Sequence, residues 1–255
     1  MKYQEKTMIE TPDVAILDAD IIAYKAACWA ESNGSSIKDI EERLTFDVNY
    51  WTPPGLSRRL LAFSCSRKDN FRKDFWPSYK ANRNNKPAPK LLPICKRILC
   101  ESNKAVHRNR LEADDIIGLG MGSMTMIGVS LDKDLMTCPG WFWNPEKMDF
   151  PRLISVEAAD YCFHKQWLMG DSTDNIPGIP KIGKVKAEKL LKDVKPSNRT
   201  ALVLKSYEEK GLDLDYCLAQ ARCVRILRFG EWDKESEKII AWAPNWALTP
   251  ESKRN

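Results

Sequence analysis

The feature that most constrains this chain is a set of short apolar runs that end in acids. Residues 14–17 read Val-Ala-Ile-Leu and stop at Asp18-Ala19-Asp20, and the mostly apolar run 124–129 leads through Ser130 and Leu131 to Asp132-Lys133-Asp134. Runs this short, bounded by polar residues, read as strands covered on both faces. A third run, 60–63, ends in Ser64-Cys65-Ser66 without a carboxylate, and 141–144 reads as a further short strand. Helices are predicted at about 21–31, 91–100 and 155–169, the last with Ser155 as N-cap and Glu157 behind it. Strand and helix alternating predict an α/β fold with a mostly parallel sheet, and in such sheets ligands bind beyond the carboxyl ends of the strands. Asp18 sits at such an end. Asp20 either joins it or caps the following helix, and the cap is the favoured reading.

Two more places supply carboxylates. Residues 111–118 (LEADDIIG) put Glu112, Asp114 and Asp115 at the start of a helix. Offsetting the helix dipole accounts for one or two of them. Glu112 and Asp115 face the same way, and Asp114 joins them only if Glu112 precedes the first regular turn. Asp132 and Asp134, two apart in extended backbone, point to one side. Residues 170–191 (GDSTDNIPGIPKIGKVKAEKLL) carry Asp171 and Asp174, then a Gly/Pro hairpin running into a basic helix at Lys184. Gly permits close backbone approach, and free N–H groups at a helix start suit a phosphate oxygen. Taken alone, the same stretch is equally a connector with a capping Asp. Four such places gathered at one sheet edge would raise some carboxyl pKa values unless cations intervened. Oxygen ligands favour Mg²⁺ or Mn²⁺, and two such ions about 4 Å apart suit phosphodiester hydrolysis. Eight cysteines without a C-x-x-C pair, and only two histidines, argue against zinc.

From residue 68 to 90 the chain is basic and aromatic: Arg72, Lys73, Lys80, Arg83, Lys86 and Lys90 alternate with Phe71, Phe75, Trp76 and Tyr79. Cations neutralise phosphates and aromatic faces stack on unpaired bases, while Pro87 and Pro89 argue for a plain solvated loop. The net charge of +5 is too mild to identify a nucleic-acid binder, so clustering matters more than the sum. With 255 residues, 43% hydrophobic and 29% charged, the chain belongs to the soluble globular class as one large domain or two smaller ones. The polar lead MKYQEKTMIETPD has no signal core, no run of about 18 apolar residues occurs, and the cysteines read as reduced, so a reducing cytoplasm and no membrane partner are expected. Region 32–55 reads as partly irregular. Beyond Leu191 the pattern is helical with a break near Pro196 and an amphipathic helix at about 214–229. Trp232, Trp242 and Trp246 read as packing residues, and 251–255 as a loose tail.

In order, LDAD (17–20), FRKDFWPSYKANR (71–83), LEADDIIG (111–118), SLDKDL (130–135) and GDSTDNIPGIPKIG (170–183) resemble the 5′-nuclease family of flap endonucleases and 5′→3′ exonucleases. With RILRFGEWD (225–233) near the end, the chain is most similar to stand-alone phage-encoded 5′→3′ exonucleases. The resemblance covers residues 13 to 190 well and the remainder thinly. It implies a PIN-like (Rossmann-like) core, 1–158, with helices on both faces of the sheet and a basic arch at about 68–100. A helical domain, 159–255, would follow, with a helix–three-turn–helix (helix–hairpin–helix) at 161–192. The implied activity is Mg²⁺- or Mn²⁺-dependent hydrolysis at 5′ ends, nicks or flaps of double-stranded DNA, with RNA–DNA hybrid primers as further substrates and replication proteins as partners, in the host cytoplasm. Asp18, Glu112, Asp114, Asp132 and Asp134 would be metal-cluster acids, with Asp115, Asp171 and Asp174 completing a second, looser site for the second of two ions. Lys80 would meet the scissile phosphate with help from Arg83, so catalysis would rest on Lys80, Arg83, Asp18 and Asp132. Tyr79 would stack on the terminal base and Arg72 would contact phosphate. Gly178, Ile179, Lys181, Gly183 and Lys184 would grip the duplex backbone, with K⁺ at that hairpin. One departure stands out: Cys65 occupies a position where the family usually has an Asp, and Cys is a poor Mg²⁺ ligand. Either that acid is dispensable, or Asp20 or Asp69 compensates, or one metal binds weakly. Two readings compete with a 5′→3′ exonuclease: a DNA-binding protein whose catalysis Cys65 has impaired, and a PIN-type RNA endonuclease, against which the hairpin argues.

Overall fold

The computed structural model describes residues 11–83 and 87–244. The expectations for the polar lead 1–10, Lys86, Trp246 and the tail 251–255 lie outside the described residues. Six strands form one sheet in the order β3-β2-β1-β4-β5-β6: β1 (Val14–Asp18), β2 (Arg58–Phe63), β3 (Ala105–His107), β4 (Met126–Val129), β5 (Gly140–Trp143) and β6 (Arg152–Ile154). All neighbours pair in parallel except β6, which runs antiparallel to β5. The fold is thus the mostly parallel α/β sheet that the apolar runs predict. β1 lies at the centre, with Leu17 in register with both Leu61 and Val129.

Successive side chains of a strand point to opposite faces, and the core divides accordingly. Ala15, Leu17, Leu61, Phe63, Ile127 and Val129 pack on one face beneath α1 (Ala19–Asn33), α2 (Ile37–Tyr50) and, after the single turn α3 (Arg72–Phe75), α4 (Leu92–Ser102). Ile16, Ala62 and Phe142 pack on the other beneath α5 (Ala113–Met121). Helix α2 falls within the region expected to be irregular. Its signal was legible: Ser36 accepts from the N–H of Asp39, and Asp39 returns the bond to the N–H of Ser36, a reciprocal cap with Ser three before an acid.

A third cluster is helical. It joins α6 (Val156–Met169), α7 (Lys184–Leu191), α8 (Arg199–Glu208) and α9 (Leu214–Val224) around Phe163, Trp167, Leu191, Val203 and Tyr207. The expected boundary at 158/159 falls inside α6. Helix α9 also ends five residues before the expected 229. Arg225 to Leu227 leave the helix because tertiary bonds claim their backbone: Arg72 donates to the carbonyls of Cys223 and Arg225, and the N–H of Leu227 donates to Asp115. Ile226 and Leu227 then pack in the sheet's second core layer. Gly118 makes room for this strap, because a Cβ there would lie 2.5 Å from the carbonyl oxygen of Leu227.

Candidate active site

At the carboxyl ends of β1, β2 and β4 the chain opens into a cleft of about 1230 Å³. Asp18, Asp20, Glu112, Asp114, Asp132, Asp134, Asp171 and Asp174 all line it, together with Lys80, Arg83, Lys96 and Lys184. Acids spread over more than 150 positions thus meet: parallel strands deliver Asp18 and Asp132 to one edge, the start of α5 brings Glu112 and Asp114, and the turn after α6 brings Asp171 and Asp174.

Each acid is held locally. Asp18, rather than Asp20, caps α1: its Oδ1 accepts from the N–H of Ile21 at 3.1 Å, and its Oδ2 accepts from the Ser130 hydroxyl at 2.8 Å. Ser130 Oγ in turn accepts from the N–H of Asp132 at 3.0 Å, joining the tips of β1 and β4. Asp20 instead accepts from the N–H of Ser64 at 2.9 Å and pairs with Lys96, 2.6 Å away. It therefore stands against the tip of β2, beside Cys65, where the chain itself supplies no acid. Asp69, the other candidate substitute, does not line the cleft. The Ser64 hydroxyl accepts from the N–H of Ala113 at 2.9 Å, fixing the start of α5 over the same tip. Ser64, Ser130 and Lys96 were absent from the sequence-based set. A hydroxyl at each strand tip was the available signal for the first two. Asp134 does not lie in extended backbone with Asp132: Asp132, itself extended, caps a 3₁₀ turn, Lys133–Thr137, and accepts from the N–H of Asp134 at 2.8 Å.

The acids fall into two electrostatic sets. Asp18 is pushed up to about 7, by burial first and then by Asp20 and Asp132. Burial, followed by Asp18 and Asp132, also pushes Asp114 up, and its Oδ1 is buried with no hydrogen-bond partner. Asp134 is raised to about 6 by burial, Asp132 and Asp171. In the second set, burial alone would raise Glu112, but Lys80 and Arg72 hold it down at about 2. Lys80 pairs with Glu112 and lies 3.5 Å from Asp174, Arg83 pairs with Asp174, and the Tyr79 hydroxyl donates to both carboxylates. Cys65 lines the cleft with its thiol pushed up to about 11, mainly by burial and then by Glu112, so it is neutral at pH 7.

Three expectations are corrected. Asp115 is fully buried and turned away from the cleft, with both oxygens engaged by Arg72 and by the N–H groups of Glu112 and Leu227, so no face is left for a cation. Arg72 is 2% exposed and spends its donors on Asp115 and on two carbonyls, so it cannot reach a phosphate. Tyr79 is buried among α6–α9 rather than available to a base, as is Phe71 in the sheet's second core layer. Phe75 and Trp76 are half-buried and pack against the same two clusters, so the aromatic residues of this stretch serve packing.

The hairpin divides similarly. Ile179 is core, and its N–H donates to the carbonyl of Leu168, while the N–H of Gly178 donates to Gln220. Gly178 has φ +63° and sits where a Cβ would collide with the backbone of Gly170 and Met169. Lys181, Gly183 and Lys184 are exposed, and α7 begins without a side-chain cap.

A scan against protein-family models finds no match. Among curated proteins, a 5′-3′ exonuclease of Buchnera aphidicola (Acyrthosiphon pisum strain) is 30% identical over 196 residues, covering 69% of this chain and 68% of the relative. This chain belongs to the 5′→3′ exonuclease family. The exodeoxyribonuclease of Enterobacteria phage T3 is 28% identical across 95% of this chain and 96% of its own length. The match to the 5′-3′ exonuclease of Buchnera aphidicola (Schizaphis graminum strain) is 34% identical and spans about half of either protein, 53%. Among solved structures, a phage T5 protein co-crystallised with metal ions superposes with a TM-score of 0.59 at 12% identity, covering 83% of this chain and 88% of that one. The mixed sheet and its helices are therefore the fold of this exonuclease family.

Among the described residues, no three His, Cys, Asp or Glu side chains close around a point that would hold a metal ion. The acids form a wall rather than a finished coordination sphere. Their chemistry nevertheless suits a hard divalent cation: all donors are oxygens, burial and neighbouring carboxylates raise both Asp18 and Asp114, and one Asp114 oxygen lacks a partner. No helix among the described residues is long and apolar enough to cross a membrane.

Proposed function

We propose that the chain is a divalent-metal-dependent 5′→3′ exodeoxyribonuclease with structure-specific flap endonuclease capacity. The observation carrying this reading is the single cleft that gathers Asp18, Glu112, Asp114, Asp132, Asp134, Asp171 and Asp174 beside Lys80 and Arg83. Asp18, Glu112, Asp114, Asp132 and Asp134 would hold one Mg²⁺ or Mn²⁺, with Asp171 and Asp174 completing a second, looser site. Bound there, the metal supplies charge stabilisation and an activated water for phosphodiester hydrolysis. The protein's own share is placement. Lys80 and Arg83 meet the scissile phosphate, where a fixed cation stabilises developing charge best. Ser130 and Ser64 hold the strand tips together so that the acids stay in place.

Duplex DNA with a 5′ end, nick or flap is the proposed substrate, and RNA–DNA primers a further one. A bacteriophage T5 flap endonuclease of this fold has been solved as a complex with DNA and metal ions. Lys181, Gly183 and Lys184, with the uncapped start of α7, would grip the duplex backbone without reading sequence, and K⁺ would sit at that turn. The division of labour is thus a nuclease core followed by a duplex-gripping helical part. Two phage exonucleases align over nearly the whole chain, which supports a role in phage DNA replication inside the reducing host cytoplasm, alongside replication proteins.

One observation favours a binding-only protein: the β2 tip offers the neutral Cys65 in place of a carboxylate. Incubating 5′-labelled nicked and flapped duplex with Mg²⁺, for the chain and for Asp132→Ala, separates the two. Metal-dependent cleavage abolished by Asp132→Ala supports the exonuclease. Tight binding without cleavage supports the binder. Product lengths from the flap substrate report exonuclease against flap preference.

A further inference from the structure

The two cations that the proposed chemistry needs are already engaged by the protein's own acids. Lys80 Nζ pairs with Glu112 and lies 3.5 Å from Asp174 Oδ2, while Arg83 pairs with Asp174 Oδ1. A second layer of bonds ties the same two segments together. The Lys80 N–H donates to the carbonyl of Asp174 at 2.8 Å, and Asn82 Nδ2 donates to that of Ser172 at 2.9 Å. Asn175 Nδ2 donates to the carbonyl of Ser78 at 2.7 Å, and Trp76 Nε1 to that of Asn175 at 2.9 Å. Lys80 itself is held at φ +55°, a left-handed conformation that a lysine rarely adopts unless its surroundings impose it. The backbone is therefore anchored, and the Lys80 ammonium and the outer guanidinium nitrogens of Arg83 are left to exchange partners, while Arg83 Nε donates to the carbonyl of Thr173 at 3.2 Å.

We propose that Asp174 is a positioning residue that latches Lys80 and Arg83 in the DNA-free protein, and that a divalent cation drawn to Asp174 and Glu112 releases both for a phosphate. This rests on the nuclease reading above. Phosphate and carboxylate compete for the same two cations, so whichever neutralises the carboxylates strengthens the hold on DNA, and the coupling is reciprocal. Asp171 provides the internal comparison. It lines the same cleft with the same charge but has no cation partner among the described residues.

The test measures binding of a fluorescent 5′-flap duplex by anisotropy, in EDTA and in Ca²⁺, without reference to cleavage. For the unaltered chain, Ca²⁺ should tighten binding by about 5-fold or more, the lower end of ordinary couplings. In EDTA, Asp174→Asn should tighten binding by a similar factor of about 5, whereas Asp171→Asn should change it less than about 2-fold. The double variant Lys80→Met/Arg83→Met should lose less than about 2-fold in EDTA, where both cations are latched, and about 5-fold or more in Ca²⁺. Equal tightening by Asp171→Asn and Asp174→Asn would mean general repulsion and overturn the latch. So would equal losses from the double variant in EDTA and Ca²⁺, a comparison that holds even if Asp174→Asn does not fold. Absence of flap binding under every condition overturns the nuclease reading and the latch with it.

Discussion

The guanidinium of Arg72 faces the carboxylate of Asp115 through two bonds, of 2.8 and 2.7 Å, with both side chains out of solvent. Their setting makes this pair a junction: Arg72 also holds the carbonyls of Cys223 and Arg225, and Asp115 holds the N–H groups of Glu112 and Leu227. Three segments of chain meet there: Arg72, the start of α5 and the stretch from Cys223 to Leu227. Removing one partner of a buried pair leaves an uncompensated charge, so Arg72→Met should cost about 3–5 kcal/mol in urea unfolding. Arg72→Lys should recover little of it, since an ammonium cannot reproduce a planar bidentate fork.

The raised acids set a pH dependence. Asp18 has a folded value of about 7 and Asp134 about 6, both above the ordinary 3.8. The folded state therefore binds more protons than the unfolded one across this window. The stability associated with these groups is complete below about pH 4 and is lost as pH rises toward 7. Glu112, held at about 2, acts oppositely, and its contribution is lost only as pH falls from 4.5 toward 2. In EDTA, Asp18→Asn should flatten the fall in thermal midpoint between pH 5 and pH 8. Mg²⁺ should raise that midpoint more at pH 8 than at pH 5.

Cys65 contributes no charge to the cleft at neutral pH. Cys65→Asp would add a carboxylate beside Asp20 and Glu112. The Mg²⁺ concentration for half-maximal cleavage should fall, while the metal-free protein becomes less stable through added like-charge repulsion. An unchanged Mg²⁺ requirement would show that the β2 tip plays no part in holding metal.

At Gly118 a Cβ would lie 2.5 Å from Leu227 O and 2.7 Å from Cys138 Sγ. Gly118→Ala should therefore destabilise the chain by about 1–3 kcal/mol, as overpacking does. Since the strap runs from Arg225 to the Asp115 junction, faster proteolysis of the segment after Val224 would locate the damage.

Four of the six strands of the sheet, most of the helices and the acids that follow them were legible in the sequence, because periodicity and strand-tip chemistry are local properties of neighbouring residues, whereas β3 and β6, three residues each, are too short to show a pattern. Asp18 and Asp132 reach one cleft because parallel order delivers the tips of β1 and β4 to one edge, an order the strand–helix alternation already announced, while the start of α5 and the end of α6 bring Glu112 and Asp171 to it. What only the tertiary structure decided was partnership. Arg72, Asp115 and Tyr79 carry residue types suited to phosphate, metal and base, yet each lies buried against the others' neighbours. A side chain's charge is written in the sequence, but whether that charge meets solvent, substrate or another residue depends on contacts across as many as 153 positions, such as Arg72 with the carbonyl of Arg225. Burial then settles the matter, because a charge withdrawn from water is held by the partner that compensates it and is no longer available to a ligand.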